Sequence, residues 1–205
     1  MIKQFKYLIL ISLIFLGSCS FYVSSKIKMS DLASPENKVV GANAKIYLIG
    51  SCNSSYINEI TRKFKSVGID ARFSQCTNKL DETDDYANFS VPVEIVKNNS
   101  TPQNATKLFY FQYINDVFFI RTAKTFDFVH EKDKILFSEI SFSFVNDTTD
   151  NVKIIPYMLF VSKQPVKANI LTVKPDKQVD LELSDVGRRL LEQSDIKYPV
   201  FQIVK

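Results

Sequence analysis

Apolar and polar positions divide the chain into a leading apolar stretch and a body of short segments with strand or helix periodicity. Within the body, Lys45-Ile46-Tyr47-Leu48-Ile49 reads as a strand that Gly50-Ser51-Cys52 ends. Ser54 or Ser55 then caps a helix in which Ile57, Ile60, Phe64 and Val67 recur at three- and four-residue spacing. Gly68 stops that helix, and Ile69 to Gln75 reads as a second strand ending at Cys76. The crossover between these strands favours their pairing in parallel.

Further along, Lys79 to Asn88 is a polar loop, and Phe89 to Val96 resumes strand character. Lys107 to Ile114 and Val117 to Ala123 are aromatic strands joined by Asn115-Asp116, residue types that accept the positive φ of a two-residue hairpin. Ile135 to Val145 alternates, with Leu136, Ile140, Phe142 and Phe144 on one side and Glu139, Ser141 and Ser143 on the other. Asn146 to Asn151 turns the chain, and Val152 to Ser162 returns with Pro156 arguing for an edge or a bulge. Val166 to Val173 and Gln178 to Leu183 read as another pair. Ser184 caps a second helix carrying Val186, Leu190 and Leu191, and Tyr198 to Val204 closes the chain as a strand. The fold class expected is α+β, a mainly antiparallel sheet with two helices and strand-helix-strand units near both ends.

The leading segment, MIKQFKYLILISLIFLGSCS, places two lysines before an apolar stretch from Tyr7 to Leu16 that only Ser12 interrupts. That order is a secretory signal. Its apolar part spans about 15 Å as a helix, half of the roughly 30 Å hydrocarbon core of a bilayer, so a permanent span is not expected. Leu16-Gly17-Ser18-Cys19 resembles the lipobox of bacterial lipoproteins. The resemblance implies signal-peptidase recognition of Leu16, Gly17 and Ser18, and a diacylglycerol on the Cys19 thiol with cleavage before it. Acylation of the new amine, with a palmitate-type chain, is implied as well. Two or three acyl chains anchor a protein stably where one does not. Ser20 in the next position resembles outer-membrane sorting. The domain reading is therefore a signal peptide at 1–18, a lipidated cysteine and tether at 19–43, and a globular domain at 44–205.

Composition narrows the function classes. The chain carries 26 basic and 22 acidic side chains, and Lys3 and Lys6 fall in the leader. The remainder is too balanced to suggest nucleic acid. Seventeen Phe and nine Tyr against five Gly point to strand-rich packing. Cys52 and Cys76, each expected just past a strand end in one crossover unit, are placed for a disulfide, and export permits it. A metal reading needs more donors than two thiols, and none is expected. Asp81, Glu82, Asp84 and Asp85 offer oxygen ligands but lack the EF-hand order, so they read as a solvated loop. His130 lies in the charged connection Val129-His130-Glu131-Lys132-Asp133 and reads as an exposed loop residue. Asp185 suits the start of the last helix, and Arg188-Arg189 read as solvent-facing. Phe109, Phe111, Tyr113, Phe118 and Phe119 suit either a core or a ligand groove. The sequence has no glycine-rich phosphate loop and no H-E-x-x-H, so no catalytic residue and no cofactor is assigned.

The chain is similar to a family of lipoproteins from bacteria and their phages or plasmids. The shared landmarks are Leu16-Gly17-Ser18-Cys19, Ser30-Asp31-Leu32, strands ending in Ser51-Cys52 and in Cys76, Val91-Pro92-Val93, and Ser184-Asp185-Val186. The resemblance implies no activity; it supports an envelope location and the disulfide. The expectation is a non-enzymatic envelope lipoprotein held in the bilayer by acylated Cys19, binding an envelope or surface protein. The alternative is a periplasmic hydrolase using His130 with Ser and Asp residues.

Overall fold

A computed structural model describes residues 20–48, 52–66, 69–78, 85–98, 100, 102, 109–122, 136–157, 159–161, 163–165, 169–191 and 197–204. The N-terminal elements are β1 (Ser20–Lys28), α1 (Met29–Ala33), β2 (Lys38–Leu48), α2 (Ser54–Ser66), β3 (Arg72–Asn78) and β4 (Asp85–Lys97). β5 (Phe109–Ile114), β6 (Val117–Thr122), β7 (Leu136–Asn146), β8 (Val152–Pro156), β9 (Leu159–Val161) and β10 (Gln164–Pro165) follow. β11 (Leu171–Val173), β12 (Lys177–Leu183), α3 (Asp185–Leu191) and β13 (Lys197–Val204) complete the chain.

All thirteen strands belong to one sheet. Twelve run in the order β10-β9-β12-β7-β1-β2-β4-β5-β6-β13-β8-β11, and β3 pairs with β4 beside that path. β2 occupies one edge of β4 along nearly its whole length, so β3 and β5 share the other edge, near opposite ends of the strand. The pairs β1–β7 and β4–β5 are parallel, and the rest are antiparallel.

This corrects the α+β expectation. Among the described residues strand accounts for 62% and helix for 17%, and the architecture is a curled mixed sheet, in essence an all-β half-barrel. Neither strand-helix-strand stretch forms a unit of neighbouring parallel strands. β2 and β3 do run in the same direction, but β4 lies between them. β12 and β13 have no common edge, since β12 pairs with β7 and β9 while β13 pairs with β6 and β8. The expected pairing of the strands around Lys174-Pro175-Asp176-Lys177 is also replaced: β11 pairs with β8.

The stretch read as a tether is sheet from Ser20 onward. Val23, Ser25 and Ile27 are buried while Ser24, Lys26 and Lys28 are exposed, the period of two that a half-buried strand requires. Serine and lysine content hid this alternation. β1 is a central strand, antiparallel to β2 and parallel to β7.

The curl has an aromatic interior. Phe111 of β5, Phe118 of β6, Phe142 and Phe144 of β7 and Phe201 of β13 are all buried to within 1% exposure. Phe118 stacks on Phe201 with centroids 5.0 Å apart, Phe111 meets Phe142 edge-on at 5.5 Å, and Phe144 meets Phe201 at 5.1 Å. β7 and β13 lie far apart along the sheet order, so these contacts cross the interior and hold opposite walls together. Each such pair adds about 0.5–1.5 kcal/mol beyond area burial.

At one end the two margins of the sheet approach each other. Asn146, fully buried, donates from Nδ2 to the carbonyls of Asp150 at 2.7 Å and Val173 at 2.8 Å, while its Oδ1 accepts from Thr148 N and Oγ1. The turn after β7 therefore carries the chain across the seam to β8 and does not close the expected hairpin. The hairpin between β5 and β6 does form, with Asn115 and Asp116 at φ of 49° and 64°.

Helix α2 buries Ile57 and Phe64, and its cap is Asn53, whose Oδ1 accepts from Tyr56 N at 2.9 Å, in place of Ser54 or Ser55. Ser184 caps α3, its Oγ accepting from Gly187 N at 3.2 Å. The buried face of α3 is Gly187 and Leu191, while Val186 is 58% exposed. A Cβ on Gly187 would lie 2.6 Å from the Tyr198 hydroxyl oxygen and 2.7 Å from its Cζ, so only glycine admits this close approach. Gly187→Ala gains up to about 1 kcal/mol of helix propensity but overpacks at a cost of about 1–3 kcal/mol. A lower urea midpoint is the expected result; a midpoint equal to that of the unsubstituted protein would mean that Tyr198 moves aside freely.

Candidate functional site

Two polar constellations stand at opposite ends of the curled sheet. At the end where β1 begins, the chain leaves β2 at Leu48, passes Cys52 and enters α2. Cys52 and Cys76 are joined in a disulfide with Cα atoms 6.2 Å apart. The route differs from the one expected, because Cys76 lies within β3, paired with Ala87 of β4, and β2 and β3 are not neighbours. Cys52 N donates to Asp85 Oδ2 at 2.6 Å, so the first residue of β4 fixes the same corner. The link closes about 25 residues and stabilises the fold by about 3.5 kcal/mol in the loop-entropy model.

Beside this corner an aromatic strip crosses three strands. Tyr22 of β1 is in register with Lys45 of β2, and Tyr47 of β2 with Tyr86 of β4. The Tyr86 ring lies 6.2 Å from that of Tyr22 and 5.5 Å from that of Tyr47, and Lys45 Nζ stands 3.9 Å from its centroid. Tyr86 is buried; Tyr22, Lys45 and Tyr47 are half-buried.

At the other end, α1 caps the opening with Leu32 in the core. Ser30 N donates to Asp147 Oδ1 at 2.9 Å, tying α1 to the turn after β7. From the end of β4, two strands from β1, buried Lys97 donates from Nζ to the carbonyls of Asp31 at 2.6 Å and Leu32 at 2.8 Å. Asn37 completes the knot: its Nδ2 donates to the buried Glu94 at 2.9 Å, and its Oδ1 accepts from Lys97 N at 3.0 Å and Ser100 Oγ at 3.2 Å. Burial lowers the Lys97 ammonium from 10.5 to about 8, against the attraction of Asp31, and the charge of Lys38 lowers it further. Tyr113, whose ring centroid is 5.1 Å from Lys97 Nζ, is raised by burial, then by the charge of Asp116 and the hydrogen bond it donates to that carboxylate.

Both constellations consist of hydrogen bonds and ring contacts that hold elements together. Among the described residues no group of three or more His, Cys, Asp or Glu side chains could hold a metal ion. Leu16, Gly17, Ser18, Cys19 and His130 lie outside the described residues, as do Asp81, Glu82 and Asp84. Asp185 pairs with Arg188 at 2.8 Å on the surface of α3. Phe111 and Phe118 belong to the core; Phe119 is half-buried, with Lys197 Nζ 3.9 Å from its ring centroid. A shallow cleft of about 310 Å³ lies between β11 and β12, lined by Leu171, Val173, Lys174, Lys177 and Val179 among others. The sequence reading missed Lys97 and the tyrosine strip. The available signal for Lys97 was a lone lysine ending the apolar strand Val91 to Val96.

These features define a class: a curled-sheet, β-rich protein with an aromatic interior, closed at one end by a short helix and stapled at the other by a disulfide. The chain belongs to the family described as a domain of unknown function, DUF7424, whose model matches residues 21–204. No curated protein and no solved structure matches it. Among the described residues, no helix is long and apolar enough to cross a membrane.

Two stability predictions follow from the two ends. Replacing Cys52 and Cys76 by serine together is expected to remove up to about 3.5 kcal/mol, read as a fall in urea midpoint that thiol reductant reproduces in the unsubstituted protein and not in the variant. For Lys97, the folded chain releases its proton near 8 while the unfolded chain holds it to 10.5. Between those values the unfolded state binds more protons, so stability rises with pH. Tyr113 acts in the opposite sense at higher pH: the folded state retains its phenolic proton, so stability falls above about 10. Lys97→Met is expected to be less stable at every pH, because two carbonyls lose their donor, and to lack the rise that begins near 8. Urea midpoints of both proteins across this range provide the test, and parallel curves would contradict it.

Proposed function

We propose that the protein is a non-enzymatic envelope lipoprotein, anchored by acylated Cys19 and presenting its curled sheet to another envelope or surface component. The observation that carries the reading is the run Leu16-Gly17-Ser18-Cys19, which resembles a lipobox and ends one residue before β1 begins at Ser20. A chain cut before Cys19 would keep every described strand of the sheet. Stable attachment then needs no spanning helix, since two or three acyl chains suffice. The disulfide between Cys52 and Cys76 suits an oxidising compartment outside the cytoplasm. The polar residues at both ends of the sheet are engaged in structural hydrogen bonds, which favours a role in binding over one in catalysis. Sorting to the outer membrane and an association with phages or plasmids belong to the same reading and rest on the sequence resemblance.

Mass spectrometry of the protein purified from membranes is expected to find a chain beginning at Cys19 and carrying the acyl mass. Cys19→Ala is expected to move the protein from the membrane to the soluble fraction. An unmodified chain still carrying Met1, or a Cys19→Ala protein that remains with the membrane, would overturn the anchor.

A further inference from the structure

We propose that the outward strip formed by Tyr22, Lys45 and Tyr47 lies in the headgroup layer of the bilayer, so that the body docks on the membrane in one orientation. The inference rests on the anchor reading above and goes beyond it. An acyl chain alone sets no orientation if a flexible linker follows it. Here the described strand β1 starts at Ser20, the residue after Cys19 and so about 3.8 Å along the chain, and it is hydrogen-bonded to β2 on one edge and β7 on the other. The anchor point is therefore fixed to the end of a central strand.

What stands beside that point suits a membrane surface. Tyr22 is two residues from Ser20, about 7 Å along the strand, within the roughly 5–10 Å depth that interfacial apolar groups occupy. Tyr22, Lys45 and Tyr47 share the outward face, whereas Val23, Ala44, Ile46 and Leu48, which alternate with them, are buried in the core. Tyrosine has an apolar ring and a polar tip, the combination enriched at membrane–water boundaries, and lysine reaches from an apolar surface toward phosphate. Tyr86 of β4, in register with Tyr47 on the same outward face, lies among these side chains and contacts the rings of both Tyr22 and Tyr47. Farther along β1, Lys26 and Lys28 also face outward, about 20 and 26 Å from Ser20, and remain in water.

The charges that flank Tyr22 suit a zwitterionic headgroup. Tyr22 is in register with Lys45 on β2 and with Glu139 on β7, so one cation and one anion bracket the ring. A purely anionic surface would repel Glu139. A zwitterionic headgroup, with a phosphate for Lys45 and an ammonium for Glu139, satisfies both.

The protein contains no tryptophan, so one introduced residue reports alone. Acylated Tyr47→Trp and Val39→Trp proteins are bound to phosphatidylethanolamine vesicles with a minority of phosphatidylglycerol, containing lipids brominated at a shallow acyl position. Val39 is the control, because it is 58% exposed on the same face of β2 and eight residues, about 26 Å, from Tyr47. The expected result is loss of Tyr47→Trp emission on vesicle binding with Val39→Trp emission unchanged. Tyr22→Trp replaces the first probe if it fails to fold. Equal quenching at both positions, or none at Tyr47 in protein that carries its acyl mass and floats with the vesicles, overturns the docking orientation and leaves the anchor standing. Protein that neither carries the acyl mass nor floats overturns both.

Discussion

Strand β1 is hydrogen-bonded along both edges, and this double pairing joins the N-terminal strands to the C-terminal ones. One edge meets β2, which follows closely in sequence; the other meets β7 in parallel, more than a hundred residues away. A buried backbone group left without a partner costs about 1–3 kcal/mol, so withdrawing β1 would expose two rows of such groups at once. Non-local parallel pairing is slow to form because the intervening chain must first be ordered. An acyl group at Cys19, as proposed above, would be attached one residue before this strand.

Around that strand, the interior and the ends do different work. The phenylalanines of β5, β6, β7 and β13 fill the curl and hold its walls together without directional bonds. The ends need directed contacts, because there the sheet runs out of strand partners. Lys97 caps α1 at one end, Asn146 bridges the seam beside it, and the Cys52–Cys76 link with Asp85 fixes the other. Polar groups that a sequence reader would set aside as surface residues are therefore structural here, and buried for that reason.

Several elements were legible from the chain, and their legibility had local causes. Asn115-Asp116 announces a tight hairpin because few residue types accept positive φ at consecutive positions. Ile57, Ile60 and Phe64 announce α2 because their spacing matches one helix face. β1 was missed because serine occupies one of its inward positions, Ser25, whose Oγ reaches the Gly41 carbonyl at 3.1 Å. In α3 the apolar residues do not all mark the buried face: Val186 is exposed, while Gly187, which packs inward, has no side chain to signal it. The sites follow the same division. Two cysteines with strand-like flanks suggested a bridge, whereas nothing local marks Tyr22, Tyr47 and Tyr86 as neighbours.

By itself the sequence determined the positions of most strands and helices, the tight hairpin and the lipobox-like run, since each depends on residues close together in the chain. Only the tertiary structure decided which strands are neighbours: β4 between β2 and β3, β7 beside β1, β11 beside β8. A strand's period of two specifies which face is buried but carries no label for its partner. That choice is settled when all the inward faces must fill one interior and every strand edge competes for the same backbone hydrogen bonds.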